Sequence, residues 1–214
     1  MTAADLPSAN GRSKLIAILR GGNGHHLETV ATTLIASGID CLEITTNTPG
    51  FEKALSTLRE RYDDEVRLGL GTVRSVEHVS MATRLGAEFV VAPTTQLEVG
   101  RAAKDAGLEW YPGAMTPTEV ETAWQAGADA VKVFPAAQAG GPAFVRALLA
   151  PLDDVRIIPT GGVDVENVTD YLRAGAAAVG VGSPLIADSL HTGDLDDVAR
   201  RAEQFRLAVT EVAR

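Results

Sequence analysis

Short apolar runs recur along the chain at nearly regular intervals, each preceded by a helix-forming segment and a glycine. The phrase reads Ser37-Gly38-Ile39-Asp40-Cys41-Leu42, then Leu85-Gly86-Ala87-Glu88-Phe89-Val90, Ala106-Gly107-Leu108-Glu109-Trp110, Ala126-Gly127-Ala128-Asp129-Ala130-Val131 and Ala174-Gly175-Ala176-Ala177-Ala178-Val179. Each glycine stands where a helix closes in the left-handed conformation. Each run after it is short enough for a strand buried on both faces. Apolar runs at 15–19, 66–70 and 155–159 fill the gaps. The pattern predicts eight strands, near residues 15–20, 40–45, 66–71, 88–92, 109–112, 130–134, 155–160 and 178–182.

Helical spacing separates them. Leu27, Val30, Ala31, Leu34 and Ile35 form one apolar stripe; Thr48-Pro49 opens another, carrying Phe51, Ala54, Leu55 and Leu58. Ser75 is placed to cap a third helix, and Thr95-Gln96-Leu97-Glu98 and Thr116-Pro117-Thr118-Glu119 both fit a capping box. Gly141-Pro142 opens a helix with Phe144, Val145 and Leu148 inward, Asp164 caps one with Val168, Tyr171 and Leu172 inward, and a last helix runs from about Leu195 to Val212. Eight strand–helix alternations in one domain-sized chain predict an α/β fold, a single-domain (β/α)8 TIM barrel over residues 14–214, behind a flexible arm at 1–13. A doubly wound open sheet is the rival, but no Gly-rich dinucleotide fingerprint follows the first strand.

Composition narrows the function. A net charge of −9 and a pI near 4.9 argue against a nucleic-acid partner, which calls for a basic surface. No stretch approaches the ~20 apolar residues of a membrane span. The polar start has no apolar signal core, so a cytoplasmic protein without a membrane partner is expected. A single cysteine, Cys41, excludes an intrachain disulfide framework and lies in an apolar run, as a packed thiol would. His25, His26, His78 and His191 show no metal-ligand spacing, and no metal is expected.

The chemistry collects around Ala130-Val131-Lys132-Val133-Phe134-Pro135, an apolar strand with one lysine in it. Alternation puts Ala130, Lys132 and Phe134 on one face. An ammonium there is costly to desolvate unless it is paired or loses its proton, and a neutral lysine attacks ketones to form a Schiff base. The plainer alternative is a lysine that reaches the strand end and snorkels to water. Glu43, between Leu42 and Ile44, points with Cys41 and Thr45; if its neighbours pack on helices, it faces the interior and can pair or trade protons with Lys132. The alternative is a buried ion pair without chemistry. The strand ends, where such barrels place their sites, carry Arg20, Asn47, Thr72, Pro93 and Thr160, and the dipeptides Gly161-Gly162 and Gly182-Ser183. Those glycines suit a phosphate site built from backbone N–H groups, or they merely permit tight turns.

These phrases together resemble the class I pyruvate aldolases that cleave 2-keto-3-deoxy-6-phosphogluconate (KDPG) or its galactonate epimer (KDPGal). The resemblance is carried by Ile18-Leu19-Arg20-Gly21, Leu42-Glu43-Ile44-Thr45, Gly71-Thr72-Val73, the stretch Pro112-Gly113-Ala114-Met115-Thr116-Pro117-Thr118-Glu119, Val131-Lys132-Val133-Phe134-Pro135, Pro159-Thr160-Gly161-Gly162-Val163 and Val181-Gly182-Ser183. It implies that Lys132 forms the Schiff base and Glu43 is the general acid/base. It implies a pyruvate carboxylate site at Thr72 and Thr160, and a phosphate site at Gly161, Gly162, Gly182 and Ser183. Phe134 then walls the imine from water and Pro93 shapes the floor. It implies no cofactor, a homotrimer, and pyruvate, glyceraldehyde 3-phosphate and a phosphorylated keto acid as partners. Arg20 and Asn47-Thr48-Pro49 look like the galactonate type, and Thr160 before Gly161-Gly162 like the gluconate type. The competing expectations are a 4-hydroxy-2-oxoglutarate aldolase, another phosphate-binding barrel isomerase or epimerase, and a non-catalytic binder of a phosphorylated keto acid.

Overall fold

The computed structural model describes residues 14–212; the arm expected over 1–13 lies outside them. Strand and helix alternate from the start. β1 (Leu15–Leu19) is followed by α1 (Leu27–Ala36), β2 (Cys41–Thr45) by α2 (Phe51–Tyr62), β3 (Arg67–Gly71) by α3 (Val76–Arg84), and β4 (Phe89–Val91) by α4 (Leu97–Asp105). The expected fifth strand is two, β5 (Glu109–Tyr111) and β6 (Gly113–Ala114), ahead of α5 (Pro117–Gln125). Then come β7 (Val131–Val133), α6 (Ala136–Ala139), α7 (Gly141–Leu149), β8 (Ile157–Pro159), α8 (Val168–Arg173) and β9 (Val179–Val181). Two short helices, α9 (Ser183–Ile186) and α10 (Ser189–Thr192), lead to α11 (Leu195–Val212).

The repeated helix-end glycines do what their phrase implies: Gly38, Gly86, Gly107, Gly127 and Gly175 all have positive φ. Thr116 forms the full capping box with Glu119, and Pro117 begins the helix. Other starts differ from expectation. The residue before α8 is Asn167, whose N–H donates to the Asp164 carboxylate at 3.0 Å, and Ser75 precedes α3 without a side-chain capping bond. The residue before α4 is Gln96, and the Thr95 hydroxyl instead donates to the Gly113 carbonyl at 3.1 Å. Helix α2 begins only at Phe51, after a left-handed Gly50, because Thr48 is drawn inward to Thr45 and the Leu19 carbonyl.

The strands alternate faces as the sequence suggests. Leu42, Ile44, Leu68, Leu70, Val131 and Val133 join the apolar layer shared with the helices. The opposite faces supply a separate interior cluster: Ile16, Cys41, Phe89, Val91, Tyr111, Ala130, Ile158 and Ala178. Glu43 and Lys132 share the parity of these interior positions.

The expected closed eight-stranded barrel is not what the strand ladders form. Among the described residues, six parallel strands make one sheet, ordered β5-β4-β3-β2-β1-β9, and three make another, ordered β6-β7-β8. The two seams share a cause. At the first, the Trp110 carbonyl accepts from the Asp129 N–H at 3.1 Å, so that edge of β5 faces β7. The next residue on the same edge is Pro112, which has no N–H to give, and the Trp110 N–H is spent on the Asp129 carboxylate at 2.9 Å. At the second, the Ile157 carbonyl accepts from Ala177 at 3.0 Å, so that edge of β8 faces β9. Two residues on stands Pro159, again without a donor. Beyond it, a single bridge joins Thr160 and Gly180.

At the N-terminal end of the interior lies an ion network that the sequence did not announce. Buried Arg67 donates to Glu109 at 2.8 Å and to Glu88 at 3.4 Å, and Arg59 reaches Glu88 at 2.7 Å. The Arg67 guanidinium also lies 5.3 Å from the Phe89 ring centre. Gly69 makes room for that ring: a Cβ there would stand 2.2 Å from Phe89 Cε2.

Candidate active site

Lys132 and Glu43 meet at the other end. Lys132 is held by β7, with valines on either side directed outward, and Glu43 by β2, with Leu42 and Ile44 outward. Their side chains are 5% and 2% exposed, and Nζ lies 3.9 Å from Oε1. Burial pushes the Lys132 amine below its ordinary range; the Glu43 carboxylate works in the opposite direction and Arg20 adds to the lowering. The lowering raises the share of neutral amine, the form that attacks a carbonyl. Glu43 Oε1 is buried and accepts no hydrogen bond among the described residues. Leaving such an acceptor unsatisfied costs about 1–3 kcal/mol or more, so an arrangement kept only for stability would be expected to pair it. Gly71 opens the space for this carboxylate: a Cβ there would stand 2.1 Å from Oε1.

Lys132 and Glu43 line one cavity with Ile16, Val91, Tyr111, Ile158, Thr160 and Gly180, about 200 Å³ including its open mouth. Thr160 is buried, and Gly180 gives it room, since a Cβ there would fall 2.4 Å from its Oγ1. The Phe134 ring centre is 5.5 Å from Lys132 Nζ. Gly161 and Gly162 both have positive φ and pack toward Phe134 and Ala137. The Asn167 side chain donates to the Gly162 carbonyl at 3.0 Å, bracing that turn.

At the rim, Arg20 is exposed and donates to the Thr72 hydroxyl at 3.2 Å. Thr72 has φ 59°, a left-handed conformation that costs a β-branched residue about 1–3 kcal/mol and tends to occur where a site requires it. Of the residues picked out from the sequence, Lys132, Glu43 and Thr160 thus line the cavity, while Arg20 and Thr72 pair with each other. Asn47, in the exposed turn after β2, does not line it; neither do Pro93, Gly182 or Ser183, although Gly182 and Ser183 do open α9. Tyr111 and Gly180 were overlooked. Tyr111 sits in the inward register of its strand, a signal that alternation alone carries, whereas the close approach of Gly180 to Thr160 has no local signature.

Among the described residues no group of three His, Cys, Asp or Glu side chains is placed to hold a metal, and no helix is long and apolar enough to cross a membrane.

Residues 8–201 match the model of the KDPG and KHG aldolase family. The chain is 38% identical to the 2-dehydro-3-deoxy-6-phosphogalactonate aldolase of Escherichia coli K12 over 80% of its own length and 83% of that protein's. It is 36% identical to the 2-dehydro-3-deoxy-phosphogluconate aldolase of Treponema pallidum, over 82% and 83%. A solved native KDPGal structure superposes with a TM-score of 0.88 at 34% identity, covering 98% of this chain and 99% of that one. The KDPG aldolase of Legionella pneumophila, solved with pyruvate captured as a covalent carbinolamine, superposes with a TM-score of 0.80 at 28% identity over 89% and 93%. With its buried lysine and carboxylate at one cavity, the chain belongs to the KDPG and KHG aldolase family.

Proposed function

We propose that the protein is a class I aldolase that reversibly cleaves a 2-keto-3-deoxy-6-phospho-sugar acid, KDPG or KDPGal, to pyruvate and glyceraldehyde 3-phosphate, with Lys132 as the Schiff-base residue. The observation that carries this is the buried Lys132–Glu43 pair, 3.9 Å apart, with the amine held below its usual range by burial. Lys132 passes its proton to Glu43 and attacks the C2 ketone as the neutral amine; an N–H proton then moves to the former carbonyl oxygen, giving the carbinolamine. Glu43 supplies the proton with which the C2 hydroxyl leaves as water, and the nitrogen lone pair closes the imine. The protonated imine is an electron sink two bonds from C3–C4. Glu43, now a carboxylate, takes the C4 hydroxyl proton; the C3–C4 bond breaks, its electrons flow into the imine, and the aldehyde departs from a pyruvate enamine. Protonation at C3 and attack of water at C2 return free Lys132 and pyruvate.

The remaining roles follow the family resemblance. Thr72 and Thr160 hold the carboxylate, Gly161, Gly162, Gly182 and Ser183 the phosphate, and Arg20, which bonds the Thr72 hydroxyl, and Asn47 also bind the substrate. Phe134 shields the imine and Pro93 shapes the floor. The same reading takes the enzyme to be a cytoplasmic homotrimer that needs no cofactor.

Borohydride reduction in the presence of pyruvate, followed by peptide mass mapping, tests this. One pyruvyl adduct on Lys132, absent in Lys132→Ala, is expected. A folded wild-type protein that binds pyruvate but yields no adduct overturns it.

A further inference from the structure

The left-handed turn at Thr72 needs something to hold it. In an extended strand, consecutive carbonyls point to opposite edges. Here two consecutive carbonyls turn the same way, onto one residue. The Thr46 N–H donates to the Gly71 carbonyl at 2.9 Å, and the Thr46 hydroxyl donates to the Thr72 carbonyl at 3.1 Å. The positive φ of Thr72 is what breaks the alternation. The chain then returns to the sheet, with the Val73 N–H donating to the Val91 carbonyl at 3.0 Å. With the backbone turned in this way, the Thr72 hydroxyl meets the Arg20 guanidinium. Thr46 itself lies just past β2, three residues beyond Glu43, so the strand that carries the carboxylate also carries the clamp.

We propose that Thr46 is a positioning residue for the keto-acid end of the site: by gripping both carbonyls of the Gly71-Thr72 turn, it sets the Thr72 hydroxyl and the Arg20 guanidinium where a substrate carboxylate is received. This rests on the aldolase reading above. Thr46 touches no substrate in this scheme. Its backbone bond is available to any residue but proline, and only the hydroxyl bond is specific to threonine or serine.

The test is the dependence of borohydride trapping on pyruvate concentration, in wild type, Thr46→Val and Thr46→Ser. Valine keeps the shape and removes the donor; serine keeps the donor. Thr46→Val is expected to need about tenfold more pyruvate for half-maximal trapping, equivalent to about 1.4 kcal/mol, with an unchanged trapping rate at saturation. Thr46→Ser stays within about twofold of wild type. Thr46→Ala, which adds no branch, gives the same readout if valine disturbs the loop. Half-saturation unchanged in both Thr46→Val and Thr46→Ala, with wild type trapped normally, overturns the role of Thr46 and leaves the aldolase reading standing. A wild-type protein that traps nothing overturns the aldolase reading and this proposal with it. A saturated rate that falls while half-saturation holds also overturns it, because the defect then lies in the chemistry at Lys132.

Discussion

Gly71 offers the sharpest test of how the carboxylate is held. Its φ is one that alanine adopts, so Gly71→Ala meets no backbone obstacle. The added Cβ meets Glu43 instead, at 2.1 Å from Oε1 and 2.6 Å from both Cγ and Cδ. Those contacts are roughly 1 Å inside van der Waals range, so the carboxylate must swing away from Lys132 or the two strands must part. Strand movement is resisted by the ladder that pairs Thr45 with Gly71 and Glu43 with Gly69. The side chain therefore gives way. A displacement of about 1 Å of a reacting group costs about 10²-fold, and complete loss of general acid–base help about 10²–10⁴-fold. A kcat reduced about 10²–10³-fold is expected, or about 3–4 kcal/mol of lost transition-state stabilisation. Overpacking should also destabilise the fold by about 1–3 kcal/mol. The cycle is completed with Glu43→Ala, which removes the atoms that the new methyl strikes. Gly71→Ala should then cost little further stability or activity in the Glu43→Ala background. The assays are aldol cleavage followed by enzymatic detection of pyruvate, and urea unfolding of all four proteins. A Gly71→Ala enzyme within threefold of wild-type kcat, or a double variant as destabilised as the sum of the singles, refutes the reasoning.

Two further outcomes follow from the charges around the site. On the proposed mechanism Lys132 reacts as the neutral amine, and Arg20 contributes to lowering its pKa, so the alkaline-rising limb of kcat/KM should lie below the ordinary lysine range and move to higher pH in Arg20→Met; a shift to lower pH contradicts the assignment. The buried Cys41 thiol is pushed up to about 12 by burial, which leaves about one molecule in ten thousand as thiolate at pH 8, so an aromatic disulfide reagent should label it only in denaturant; labelling of the native protein at the rate of a small free thiol contradicts this.

What could be read from the sequence was what strand parity decides. Glu43 flanked by Leu42 and Ile44, and Lys132 flanked by Val131 and Val133, announce two ionisable groups on buried faces, and the structure places both at one cavity. Parity says nothing about which edge of a strand meets which neighbour. Pro112 and Pro159 were visible as residues, but their consequence depends on the Trp110 and Ile157 carbonyls facing the two seams, which only the register reveals. The same holds for the threonines. Thr95 fits a capping pattern yet turns to Gly113, and Thr48 fits a helix start yet turns to Thr45 and Leu19, because tertiary acceptors outcompete the local ones. Arg67 stands between Val66 and Leu68, and its ion-pair partners are not local. Its partners Glu88 and Glu109 arrive from the turns and strands that pack beside it, 21 and 42 residues away.

The interior therefore carries two sets of buried charges that differ in how completely they are satisfied. At the N-terminal end, Arg67 is shared between Glu109 and Glu88, Arg59 gives Glu88 a second cation, and the Tyr111 hydroxyl donates to Glu109. Every charge there has a close partner, as a buried ion network must if it is not to destabilise the fold. At the other end, Lys132 and Glu43 stand 3.9 Å apart, beyond hydrogen-bond range, with Oε1 accepting no hydrogen bond among the described residues and the amine pKa lowered by burial. Tyr111 spans the two, with its ring on the cavity and its hydroxyl in the network. Its position is thereby set from the end where polar groups are saturated, and it closes off the end where they are not. Underpaired groups are tolerable in a protein of marginal stability only when the surrounding structure is otherwise well satisfied. The ion network supplies such saturated surroundings at one end, and at the other the Thr46 bonds to the Gly71 and Thr72 carbonyls fix the strand that packs beside Glu43.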